Sequence, residues 1–211
     1  MITGLWLLGA AAVSFPASVG QPIERVVTEE DTIIDMARRF RVGFQEIRLA
    51  NPGIDPWLPG TGRTVVLPAQ HLIPRWSEPD LAPGETRLLI NVAEIRLHAL
   101  FADDDIPERA RIVSFPISIG RQDWRTPLGS TRIVSRIKDP TWTPPQSIRE
   151  EALERGETLP DVVPAGPDNP LGQHALRLAL PGYLIHGTNK PAGIGMQVTH
   201  GCIRMYPADI A

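Results

Sequence analysis

Apolar and polar positions follow one rhythm in the first third of the chain and another afterwards. Residues 25–28 read as a short strand. Asp31 or Thr32 is placed to cap a helix whose apolar face is Ile33, Ile34, Ala37 and Phe40. Phe44, Ile47 and Leu49 predict a second helix, and Asn51-Pro52-Gly53 ends it, since proline and glycine stop helices. Residues 64–67 close this unit as a strand before Pro68.

From Arg87 onward the spacing approaches two. Residues 87–93 and 94–101 read as strands, Asp103 to Asp105 as a turn, and 111–120 and 131–137 as further strands. Residues 138–170 are rich in proline and lack periodicity, with room for one short helix at 146–155. Loops of that length often act as lids or binding segments. Strand character returns at 175–180 and 183–187. The expectation is a mainly β domain, a sandwich or curled sheet with one long excursion, preceded by a small βααβ unit.

Composition narrows the partners. The 211 residues carry a net charge of −3, and 42% are hydrophobic. That is enough for a core, but it gives no basic field, so nucleic acid is excluded as a partner. The segment 2–15 is apolar and uncharged, with small residues after it. It reads as a secretory signal peptide within 1–20, cleaved after Ser14, Ala17 or Gly20, and too short to span a membrane. No Lys or Arg precedes it, so its positive charge is the Met1 amine or lies upstream of this start.

The small unit at 24–68 resembles a LysM domain, a module that binds glycan containing N-acetylglucosamine. The resemblance rests on the Glu29-x-Asp31-Thr32 opening, the turn at 50–54 and the Val65-Val66-Leu67-Pro68 ending, with Glu30 where a glycine is usual. Residues 69–86 hold Pro74, Pro79 and Pro83 and read as a linker.

Cys202 is the only cysteine, so no intramolecular disulfide is possible. It stands in the sequence Thr199-His200-Gly201-Cys202-Ile203-Arg204-Met205. Three readings compete. A lone Cys is usually a small buried hydrophobe, yet His200 and Arg204 are costly to bury beside it, and Gly201 permits positive φ or a close ligand. Zinc held by Cys202, His186 and His200 is a second reading, but no C-x-x-C or H-E-x-x-H pattern supports it. The third is a nucleophile, with its thiolate favoured by a base or a cation. His186 reaches Cys202 only through folding. Arg204 shares its face if the segment is extended, and the N–H groups of Gly201 and Cys202 are candidates to point at an oxyanion.

The stretches 185–188 (IHGT), 193–195 (GIG) and 199–205 (THGCIRM) resemble the signature of the L,D-transpeptidase (YkuD-like) family. The stretches 91–97, 126–129, 140–149 and 162–178 resemble its Gram-negative envelope subgroup. The resemblance covers roughly 87–211 and favours the nucleophile reading. It implies a YkuD-like β-sandwich that attacks peptidoglycan stem peptides without metal or organic cofactor. Cys202 would form a thioester with a tetrapeptide stem and release D-Ala. The acceptor would be a second diaminopimelate amine, giving a 3→3 crosslink, or the C-terminal Lys of an outer-membrane lipoprotein. His186 matches the base, and His200 a histidine that shapes the site. Gly201 and Cys202 match the oxyanion donors, and Arg204 matches a contact to a substrate carboxylate. Thr199, Gly187, Thr188, Asn189, Tyr183 and Trp142 complete the expected substrate side. The expected location is the periplasm.

The resemblance also implies that relatives continue past Ala211 with a helix and a strand, so a truncated C-terminus is expected, with residues 205–211 as the start of that helix. Two other functions fit the same residues. One is a cell-wall cysteine hydrolase using water as acceptor. The other is a non-catalytic murein-binding protein.

Overall fold

The computed structural model describes residues 17–74, 81–82, 84–102 and 111–211. The apolar segment 2–15 and the expected turn at 103–105 lie outside them, as do 75–80 and 83 of the expected linker.

The N-terminal unit contains β1 (Ser18–Val19), β2 (Ile23–Val26), α1 (Ile33–Phe40), α2 (Phe44–Ala50), β3 (Thr64–Leu67) and β4 (His71–Leu72). β2 and β3 pair antiparallel around the two helices, the expected βααβ order. Thr32 caps α1, with Oγ1 accepting from the Asp35 N–H at 3.0 Å. Asp31 instead pins the approach, accepting from the N–H and hydroxyl of Thr28 at 2.9 and 2.8 Å. The buried stripe of α1 is Ile33, Met36 and Ala37. Ile34, expected in that stripe, is only half-buried, because positions three and four apart share a helix face and adjacent positions do not. The second helix expected from Phe44, Ile47 and Leu49 is α2, in which Ile47 is buried and Leu49 exposed.

Asn51 does more than end α2. Its Nδ2 donates to Ile47 O and Val66 O, each at 2.7 Å, and its Oδ1 accepts from the Val66 N–H at 2.8 Å. One buried amide thus joins helix to strand with three bonds. Two short strands were not expected: β4, inside the span read as linker, pairs antiparallel with β1, inside the span read as signal peptide.

The larger part contains β5 (Thr86–Asn91), β6 (Arg96–Phe101), β7 (Arg111–Gly120), β8 (Ile133–Lys138), α3 (Gln146–Glu154), β9 (His174–Leu178), β10 (Leu184–His186), β11 (Gln197–Thr199), β12 (Ile203–Met205) and α4 (Pro207–Ile210). Seven strands run in the order β5-β6-β7-β12-β10-β9-β8, and β11 pairs with β7. Leu97 and Ala99 of β6 share one buried cluster with Leu178 of β9, although three strands separate them in the sheet. The sheet therefore curls on itself around Ile117, Ile119, Ile185, Ile203 and Met205. Residues 92–95, expected as strand, form the β5–β6 hairpin turn, with Ile95 at φ 54°. The short helix expected at 146–155 is α3.

The two parts meet tightly. Arg96 donates to Glu46 Oε1 at 2.7 Å, Arg41 to Asp209 Oδ1 at 2.7 Å, and Tyr206 OH to Val42 O at 3.2 Å. The Phe44 N–H reaches Ile194 O at 3.2 Å. Gly195, at φ +85°, lies so close that a Cβ there would fall 2.5 Å from Gly43 Cα. Two clefts of about 320 and 350 Å³ lie along this junction, both touching His71 and Arg96.

Candidate active site

The sheet brings the two signature segments side by side. β10 and β12 pair in parallel, with Ile185 opposite Ile203 and His186 opposite Arg204. Ile185 and Ile203 are buried in the core, so His186 and Arg204 share the other face of these strands. Hydrophobic alternation therefore aims the imidazole and the guanidinium to one side.

Cys202 precedes β12 on a tight turn. Thr199 Oγ1 donates to Cys202 O at 2.6 Å and accepts from the Gly201 N–H at 3.2 Å. The Gly201 N–H, expected to face an oxyanion, is thus held by Thr199. Gly201 sits at φ +98°, and a Cβ there would lie 2.8 Å from Tyr183 Cε1, so the Tyr183 ring closes over it. Only glycine meets both conditions. On the other side Thr126 Oγ1 donates to Gly201 O at 2.8 Å and accepts from the Gly120 N–H at 2.9 Å.

The Cys202 thiol is half-buried and donates weakly to Gly182 O at 3.7 Å. Burial raises its pKa, opposed by the Leu184 backbone and the Arg204 charge. His186 is buried, and its Nδ1 lies 2.7 Å from Gly187 O. A carbonyl only accepts, so Nδ1 carries the proton and Nε2 keeps a lone pair. Burial, then the Arg204 charge, lowers the His186 pKa to about 4. Burial thus favours the neutral form of the thiol and of the imidazole alike. Arg204 is itself half-buried, burial lowers its pKa, and its buried Nε has no hydrogen-bond partner among the described residues.

His200 takes a different place. Its Nε2 is 2.6 Å from Glu151 Oε2 of α3, and its ring packs edge-on to Trp124 at 4.9 Å. Glu151 also receives a two-pronged contact from Arg121, with both N–O distances 2.9 Å, and one from Arg155 at 2.6 Å. These contacts hold its carboxyl down at about 2, the Arg121 bonds first and the His200 bond next.

Thr188 is buried and accepts from the Lys190 N–H at 2.9 Å, while the Gly187 N–H donates to His174 O at 2.9 Å. Asn189 donates to Asp168 O at 3.0 Å. Trp142 pairs with Val163 in a two-residue bridge at the base of the excursion, beside Asn169, which donates to Pro140 O at 2.8 Å. Glu151, Arg121, Trp124 and Thr126 were not anticipated. Their partners lie far off in sequence, and of the four only Thr126 falls in a stretch, 126–129, that carries the family resemblance.

The family model of the YkuD L,D-transpeptidase catalytic domain matches residues 85–211. Probable L,D-transpeptidase YcfS of Escherichia coli (strain K12) is 42% identical over 179 residues, 83% of this chain and 52% of that protein. Probable L,D-transpeptidase ErfK/SrfK of Salmonella typhimurium (strain LT2) is 38% identical over 94% of this chain and 63% of its own length. Probable L,D-transpeptidase YbiS of Escherichia coli (strain K12) is 36% identical over 95% of this chain and 64% of its own length. The chain therefore spans between about half and two thirds of these relatives. With His186 and Arg204 on one face of two paired central strands and Cys202 on the turn that enters one of them, this chain belongs to the L,D-transpeptidase family with a YkuD catalytic domain.

Proposed function

We propose that this protein is a cysteine acyltransferase acting on peptidoglycan tetrapeptide stems. The observation that carries this reading is the buried, unpartnered Arg204 Nε, on one face with His186 and electrostatically coupled to Cys202. A guanidinium N–H held out of water without an acceptor calls for an anion. A stem carboxylate supplies it and places the neighbouring carbonyl at the thiol.

His186 Nε2 takes the thiol proton as Cys202 Sγ attacks the carbonyl between diaminopimelate and the terminal D-Ala. The C–N bond breaks, His186 returns the proton to the leaving D-Ala amine, and a thioester remains. An acceptor amine then attacks the thioester, gives its proton to His186, and the thiol is restored. The thioester keeps the acyl group activated, so no ATP is needed. The acceptor is a second diaminopimelate, giving a 3→3 crosslink, or the C-terminal Lys of an outer-membrane lipoprotein.

The N-terminal unit at 24–68 serves as a LysM-like glycan-binding domain, ahead of the catalytic domain at 87–211, and holds the enzyme on its substrate. Its βααβ order and the exposed Trp57 and Leu58, in the connection between α2 and β3, suit that role. The apolar segment 2–15 suits export to the periplasm.

Intact mass after incubation with a disaccharide-tetrapeptide tests the reading. An adduct equal to the stem minus D-Ala is expected on the wild type and not on Cys202→Ser. No adduct on the folded wild type would overturn it. Adding an amine distinguishes transfer from hydrolysis by product mass.

A further inference from the structure

We infer that Glu151 is a positioning residue for the Cys202 turn, tying the long 138–170 excursion to it through the His200 ring. The inference rests on the acyltransfer reading. Glu151 sits on α3, 49 residues before His200, and touches none of the reacting atoms. Its Oε2 lies 2.6 Å from His200 Nε2 and 2.9 Å from Arg121 Nη2, and its Oε1 lies 2.9 Å from Arg121 Nη1 and 2.6 Å from Arg155 Nη1.

Arg121 completes a grip on the turn. Its backbone N–H donates to Thr199 O at 3.0 Å while its guanidinium forks onto Glu151. The turn is held at Thr199 through the backbone of Arg121 and at His200 through the carboxylate. Trp124 fills the remaining side, edge-on to His200 and under the Arg121 guanidinium at 5.7 Å.

The geometry fixes more than position. A carboxylate only accepts, so His200 Nε2 carries a proton and the ring is held in one orientation. The ring is one residue from Gly201, whose φ of +98° sets the direction in which Cys202 leaves the turn. Releasing the ring frees the turn at its most constrained point. Misplacing a nucleophile by a fraction of an ångström is enough to slow attack severely.

The test uses the full chain, with acylation of Cys202 by the disaccharide-tetrapeptide followed by intact mass, and ¹⁵N signals of the His200 ring read separately. Glu151→Ala is expected to slow acylation about tenfold and to move the His200 ring signals away from the wild-type pattern. Glu151→Gln keeps an acceptor and is expected to recover part of both, and it serves where Glu151→Ala fails to fold. Wild-type acylation rates in both variants would overturn the inference. So would slowing that tracks only the loss of folded protein, with the His200 pattern unchanged. If the wild type is not acylated, the acyltransfer reading fails, and a His200 pattern unaltered in both variants would sink the role of Glu151 independently.

Discussion

Arg96 on β6 and Glu46 on α2 meet at 2.7 Å across the junction, joining positions 50 residues apart. Arg96 is almost wholly buried and also donates to Ser114 Oγ at 2.9 Å. Glu46 answers with its second oxygen, which accepts from the Gly43 N–H at 2.8 Å at the start of α2. Removing one partner of a buried pair costs about 3 kcal/mol or more, because the other charge is left without compensation. Arg96→Ala should lose that much in urea unfolding, and Arg96→Met with Glu46→Gln should lose less than Arg96→Ala. Equal losses would show that the charges do not depend on one another.

Gly201 should tolerate no side chain. Gly201→Ala meets both the φ of +98° and the Tyr183 ring. A strained backbone of this kind costs of order 1–3 kcal/mol. Adding Tyr183→Ala removes the clash and leaves the φ penalty, so melting temperature should recover only in part. Full recovery would mean that the ring alone excludes the side chain.

Asn51→Ala should destabilise the protein by about 3 kcal/mol, since it strips partners from Ile47 O and from both polar groups of Val66. A loss below about 1 kcal/mol in urea unfolding would show that water replaces the amide there.

Acid should weaken the fold through two histidines whose full or partial burial disfavours their charge. His186 and His71 both have pKa values lowered from 6.5 to about 4, chiefly by burial. The unfolded chain takes up these protons as pH falls below 6.5, while the folded chain resists until about 4. The stability from keeping them neutral is therefore complete above 6.5 and lost progressively down to about 4. His186→Gln should flatten that part of the stability–pH curve, and an unchanged slope would refute the assignment.

The thiol should be a slow nucleophile towards small reagents at neutral pH. Burial raises its pKa, and the neutral imidazole does not draw off its proton at rest. The rate of alkylation by iodoacetamide should still be climbing at pH 9. A plateau near neutrality would show a resting thiolate–imidazolium pair instead.

Legibility in the sequence followed the range of the interactions. Ile33, Ala37, Ile47, the strand at 111–120 and the helix at 146–155 depend on spacing within a few residues, and spacing is visible. The expected face of α1 slipped where one neighbour misled, with Ile34 taken in place of Met36. Cys202 and His186 were legible as chemistry because the chain has one cysteine and five histidines and both stand beside glycines, and Arg204 because it shares the stretch 199–205 with the cysteine. Glu151 was not, for a carboxylate in a helix of glutamates carries no local mark of the histidine 49 positions later. Arg96 and Glu46 were hidden likewise, as polar residues in patterns that normally face water. What the sequence concealed was mainly long-range polar pairing.

The close approach of Gly195 to Gly43 bears on how such proteins can be recombined. The backbones touch where a Cβ on Gly195 would fall 2.3 Å from Phe44 N and one on Gly43 would sit tightly, 3.3 Å from Gly195 Cα, just before the strand that leads into the Cys202 turn. A foreign binding module spliced ahead of residue 87 would need its own bare backbone at that spot, or it would push on the catalytic half. The two parts of this chain are therefore matched pieces and not interchangeable cassettes, and any library of swapped N-terminal modules should select glycine at the seam.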